Sequence, residues 1–163
     1  MGLDIDALRA RRGIPAYIVA ERILQLRSER GLETTHFQLQ KLIYIAHGWM
    51  LGLHGVPLVR DDIKAWEYGP VIIEVYHRYK GHGSSPIPTP EEDVTGLLTS
   101  EQAHVIQKVV DEYNLPFEDL YRITHHEDSP WTKTWTKKGR SSVIPNQLIR
   151  DHYLDMIERL TEM

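Results

Sequence analysis

Cysteine is absent from the 163 residues. This excludes disulfides, thiolate zinc sites and a cysteine nucleophile, and it fits a reducing compartment. Long apolar runs are missing too. The longest, LIYIAHGWMLGL (Leu42–Leu53), is interrupted by His47 and is too short to span a bilayer. No secretory pattern is visible, because Asp4 and Asp6 precede the arginines of MGLDIDALRARRG. Asp6 also stands where a myristoylation signal beginning at Gly2 needs Ser or Thr. A cytoplasmic chain without membrane attachment is expected. The formal net charge is only −4, so bulk electrostatics give nucleic acid no general attraction.

The signatures of catalysis are also lacking. No G-x-x-x-x-G-K-[ST], G-x-S-x-G, S-x-x-K or H-E-x-x-H occurs. GHGSSP (Gly81–Pro86) opens like a dinucleotide fingerprint but puts Pro86 where the third glycine belongs, and it follows a predicted helix rather than a strand. Glu67 and Glu74 are a carboxylate pair with no sign of convergence. Among the 9 histidines, HHED (His125–Asp128) lines up four possible ligands. Adjacent side chains diverge, however, and a metal favours spacings of three or four on a helix. His47 and His54 stand seven apart, too far to share an ion unaided. The reading is therefore no enzyme, no catalytic residues, no metal and no cofactor; His125 or His126 is expected to bond nearby backbone and hold a turn.

What is present is an ordinary globular balance of 41% hydrophobic and 26% charged residues, enough for one domain. Residues 1–14 read as a solvated arm and 15–163 as one domain. Pro15 to Gly31 predicts a helix with Ala16, Val19, Ala20, Ile23 and Leu24 on one face. Thr35 and Gln38 form a capping-box pattern that opens a central helix, along which Leu39, Leu42, Ile43, Ala46, Met50 and Leu53 recur at helical spacing. Gly48 and Gly52 lie four apart on it. Each costs about 1 kcal/mol against Ala in a helix interior, so close approach by another segment is expected.

After Gly55 the period changes to two. Ile63, Ala65 and Glu67 alternate with Lys64, Trp66 and Tyr68, predicting a short strand or a hairpin with Pro57–Val59. Gly69-Pro70 should end it, with Pro70 as the first residue of a helix through Val75, Tyr76 and Tyr79 that stops at Gly81. Gly81–Gly96 is loop. Thr99 and Gln102 repeat the capping box before Ile106, Val109, Val110 and Tyr113. Pro116 starts a shorter helix, HHEDSPW breaks it, and a last helix runs from about Pro145 through Ile149, Tyr153 and Met156. The fold class is mainly α: about six helices with one small β-hairpin or short antiparallel sheet.

Two aromatic clusters carry the functional readings. In WTKTWTKKGR, Trp131 and Trp135 sit four apart among Lys133, Lys137, Lys138 and Arg140. This is a recipe for nucleic-acid stacking, and equally for rings packed inward with lysines in solvent. In AWEYGP, Trp66 is expected to pack under the central helix, with Tyr68 and the strand edge open to a partner.

Taken in order, LQKLIYIAHGW (Leu39–Trp49), Pro57-Leu58, AWEYGPV (Ala65–Val71), Val75-Tyr76 and THHEDSPW (Thr124–Trp131) resemble the Panacea domain, the family of SocA-like antitoxins and prophage-associated GepA-type proteins. The resemblance implies a mainly helical domain that neutralises a cognate protein toxin, encoded nearby, by direct binding. It also implies a variant role as an adaptor to a ClpXP-type protease. The residues it marks as partner-binding or scaffold are Gln40, Lys41, Tyr44, Trp49, Trp66, Tyr68, Gly69, Pro70, Tyr76, His125, Pro130 and Trp131. Lys64 and Glu67 reverse the charges that flank Ala-Trp in the family pattern, and Ile73 replaces a common proline; both bear on partner choice. The other reading is a nucleic-acid-binding regulator of prophage origin, although nucleic acid is not the expected partner.

Overall fold

A computed structural model describes residues 4–163; the Met1-Gly2 start considered above lies outside them. Among the described residues there are eight α-helices and one three-stranded sheet. Helix α3 (His36–His54) is the axis. Its start is the expected capping box: Thr35 Oγ1 accepts from Gln38 N at 3.3 Å while Gln38 Oε1 accepts from Thr35 N at 2.9 Å. Gly55, with φ +71, closes it in the left-handed conformation. Ten consecutive residues, Leu39 to Gly48, are buried, so α3 is enclosed on every side rather than amphipathic.

Four helices enclose it. Helix α2 (Ala16–Glu29) buries the predicted face, and Asp61 Oδ1 accepts from Ala16 N at 2.8 Å, supplying from a distance the cap that Pro15 cannot. Helix α5 (Ser100–Glu112) starts on the second capping box, and α6 (Phe117–His125) follows Pro116. Helix α8 (Asn146–Thr161) packs most extensively on α3, through Ile149 and Tyr153. A methyl at Gly48 would fall inside the Tyr153 ring, and one at Gly52 would lie 2.9 Å from Tyr153 Cβ. The two glycines therefore exist to admit α8, as their spacing suggested.

Two helices were not anticipated. α1 (Ile5–Arg12) occupies the stretch read as an arm, with Arg11 and Arg12 exposed, and α7 (Pro130–Lys138) occupies the basic tryptophan segment. The short loop elements also depart from expectation. Gly81 lies inside a 3₁₀ turn (Lys80–His82), and the residue with positive φ is Gly83.

The sheet is arranged differently from the sequence reading. Strand β1 (Lys64–Trp66) turns through Glu67-Tyr68 into β2 (Gly69–Val71), with Trp66 opposite Gly69 and Ala65 opposite Pro70. Pro70 thus belongs to a strand, and α4 (Ile73–Tyr79) begins three residues later. The proline is tolerated because β2 is an edge strand, where one missing N–H breaks no ladder on its outer side. Val59 does not join this hairpin; it bridges to Ile14 in parallel. The third strand, β3 (Ser142–Val143), pairs with β1 from far along the chain. No helix among the described residues is long and apolar enough to cross a membrane.

Candidate functional site

The hairpin and the first half of α3 enclose a cavity of about 300 Å³. Gln40 fixes its back. Its amide donates to Ile72 O at 3.0 Å and accepts from Ile72 N at 2.9 Å, acting as one rung of a strand against the chain leaving β2. A partner strand would need those same groups, so at Ile72 the edge is already taken. Lys41 follows on the next position of α3 and is only 3% exposed. Its ammonium donates to Tyr68 O at 3.1 Å and sits 4.8 Å from the Phe117 ring centroid. Among the described residues no carboxylate lies within ion-pairing distance of it. Burial without a counter-charge pulls its pKa down from the usual lysine value to about 8.

Trp66 and Tyr76 form the aromatic wall, edge to face at 5.0 Å between centroids. Trp66 is half-buried rather than packed beneath α3, because its ring faces this cavity. Its indole Nε1 is shielded from solvent and has no hydrogen-bond partner among the described residues. Lys80 and Arg140 stand over the outer ring faces, 5.8 Å from the Tyr76 centroid and 5.7 Å from that of Trp66. At the rim Tyr68 is 65% exposed and Phe37 40% exposed.

Behind the hairpin, THHEDSPW forms the joint between α6 and α7. Ser129 caps α7 by accepting from Thr132 N at 3.2 Å and donates to Thr124 O at 2.9 Å, and Pro130 takes the first helical position. His125 Nδ1 donates to Tyr121 O at 2.8 Å, and its ring stacks on Tyr121 at 3.6 Å. It also touches the hairpin: a methyl on Gly69, whose φ is +123, would meet His125 Cε1 at 2.9 Å. His126 Nδ1 accepts from Asp128 N at 3.2 Å. Both histidines therefore hold the turn, as expected. Burial lowers the His125 pKa, and the bond to Tyr121 O partly opposes that. Trp131 is buried, stacks on Trp135, and donates its indole N–H to Trp66 O at 2.7 Å. The ring proposed for base stacking is thus spent inside, holding the hairpin.

Gln40, Lys41, Trp66, Tyr68, Pro70 and Tyr76 therefore meet at one cavity, with Gly69, His125, Pro130 and Trp131 supporting it from behind. Tyr44 and Trp49 do not join them. Tyr44 is buried, which raises its phenol pKa. Trp49 donates to Tyr113 Oη at 2.8 Å and meets Tyr153 edge-on, toward α5 and α8. Four lining residues carry no site reading in the sequence: His36, Phe37, Lys80 and Arg140. Arg140 had been noted only as part of the basic segment. Only β3 folding back beside β1 brings it to Trp66, and no local pattern announces that.

Comparison with known proteins bears on the same segment. Residues 39–132, more than half of the chain, match the family described as antitoxin SocA-like, Panacea domain. The chain belongs to this family. Over 72 residues it is 35% identical to the antitoxin SocA of Caulobacter vibrioides; the match covers 44% of this chain and 38% of that relative's length. No solved structure matches. The matched region includes α3 from Leu39 onward, the hairpin and the α6–α7 joint, and omits His36, Phe37, β3 and Arg140.

Proposed function

We propose that this protein is an antitoxin that neutralises a cognate protein toxin by direct binding, with the hairpin corner as the contact surface. Family membership across the segment that builds this corner carries the reading. The geometry supports it: Tyr68 and Phe37 offer rigid apolar area to a partner, on a corner fixed by Gln40, His125 and Trp131.

Co-expression with the product of the neighbouring gene tests this. Growth rescue together with co-purification as a stable complex is the expected result. No rescue and no complex overturns the reading. The same strains separate binding from delivery to a ClpXP-type protease. An adaptor lowers toxin abundance only while the protease is present, whereas a simple neutraliser leaves abundance unchanged.

A further inference from the structure

The cavity wall is chemically lopsided. It carries three cations, Lys41, Lys80 and Arg140, against one carboxylate, Glu67, on a chain whose formal net charge is −4. Its walls are aromatic, and the indole N–H of Trp66, shielded from solvent, has no hydrogen-bond partner among the described residues. Lys41 is the least ordinary of these groups, because a buried ammonium normally has an anion beside it. Here one backbone carbonyl and aromatic rings take that place. Lys80 and Arg140 are solvent-exposed, so they can follow an incoming anion, while Lys41 is fixed by the core.

We infer that this cavity receives an acidic side chain, Asp or Glu, flanked by an apolar residue, from a segment of the partner protein. The inference rests on the antitoxin reading for the partner's identity and on charge complementarity for its chemistry. About 300 Å³ accommodates one or two side chains and no folded element, so the partner offers a projecting turn or terminus. A carboxylate fits the donor set: the ammonium groups of Lys41 and Lys80 and the guanidinium of Arg140 are all donors with no acceptor function. The neighbouring apolar residue lies against Tyr68 and Phe37. Nucleic acid is disfavoured by the acidic chain as a whole and by Glu67 at the same wall.

The Trp66 ring lines the cavity, so its indole N–H supplies a readout of occupancy in ¹H–¹⁵N spectra, assigned with Trp66→Phe. The probes are acetyl-Gly-Phe-Glu-Gly-amide, its Gln counterpart, and inorganic phosphate at matched ionic strength. A saturable shift of the Trp66 indole with the Glu peptide, at least tenfold weaker with the Gln peptide and lost in Lys41→Met, is the expected result. Equal response to the two peptides, no response to either, or a response to phosphate alone overturns the inference.

In the co-expression assay, Lys80→Glu/Arg140→Glu changes only exposed residues and should weaken toxin capture at least tenfold, whereas Lys137→Glu/Lys138→Glu on α7 should not. Rescue by wild type and by Lys80→Glu/Arg140→Glu alike would sink the acidic-partner inference and leave the antitoxin reading standing. Failure of wild type to rescue would sink the antitoxin reading, while the peptide titration would still judge the carboxylate site.

Discussion

The two ends of helix α3 are built on opposite terms. Toward its C-terminus the groups that face α8 and the core are committed, although Leu53 stands exposed. Gly48 and Gly52 receive Tyr153, Trp49 bonds Tyr113, and His47 is satisfied on both nitrogens. Toward its N-terminus, Lys41 is buried without a counter-charge, Trp66 holds an unused donor, and aromatic rings stand in solvent. A helix that only organised a core would look the same at both ends. The closed end stabilises the fold; the open end retains unspent interactions, which is what a binding surface requires.

The comparison is broken most severely at Gly48. Gly48→Ala places a methyl inside the ring of Tyr153, a buried side chain that must shift to admit it. Overpacking of this kind costs about 3 kcal/mol, offset by about 1 kcal/mol of helix propensity. Denaturant unfolding should show a net loss of about 2 kcal/mol or more. Pairing it with Tyr153→Ala should recover part of the loss in a double-mutant cycle. A neutral Gly48→Ala would mean that α8 does not approach α3 this closely.

His47 sharpens the same end through pH. Its Nδ1 accepts from Leu58 N and Val59 N, each at 3.2 Å, so the proton resides on Nε2 and is donated to Asn146 Oδ1 at 2.9 Å. Enclosure favours the neutral ring and brings its pKa down to about 4. The unfolded chain takes up this proton near pH 6.5 and the folded chain only near 4, so stability falls as pH drops through that window. The loss from this group is on the order of 3 kcal/mol by pH 4. His36, His125 and His152, also lowered by burial, act in the same direction. Unfolding measured from pH 7.5 to 4.5 should show a shallower slope in His47→Gln than in wild type. Parallel slopes would remove His47 as the cause.

How much of this contrast was legible follows from the range of each interaction. Thr35 with Gln38 and Thr99 with Gln102 announced two helix starts, because a capping box is contained in four residues. Gly48 and Gly52 announced a close approach, though not by which segment. Pro70 misled: Gly-Pro before a helical pattern reads as a helix start, and only pairing with Ala65 shows that a strand intervenes. Helix α7 was hidden because lysines and threonines between two tryptophans fit a helix and a loop equally well. The cavity was half legible. Its hairpin and α3 residues lie in recognisable blocks, but Arg140 arrives through β3, and Lys41 gives no local sign of burial.

At the open end the expected stability effects are smaller and the binding effects larger. Lys41→Met keeps the length of the side chain and removes a buried charge that has no ionic partner. Stability at pH 7 should change by less than about 1 kcal/mol, with a gain more natural than a loss. Lys41 itself should add stability as pH rises from about 8, because there the unfolded chain holds a proton that the folded chain has released. The buried tyrosines Tyr44 and Tyr153, their pKa raised by burial, act the opposite way at higher pH. Lys41→Met should lack that rise. If it instead unfolds the protein, the bond to Tyr68 O is structural and the contrast between the two ends fails.

Tyr68→Ala should have the smallest effect on the isolated protein. The side chain is 65% exposed at the tip of a two-residue turn, so unfolding free energy should move by about 0.5 kcal/mol or less. Lys41 bonds the backbone carbonyl at this position, which the substitution leaves in place. Toxin capture in the co-expression assay should nonetheless fall, because removing a large aromatic from the centre of an interface typically costs about 2 kcal/mol or more. Stability and binding then move independently at one residue, which no substitution at the Gly48 end can achieve. A variant that binds as wild type would place the contact elsewhere on the corner and leave Tyr68 as an exposed ring without a partner.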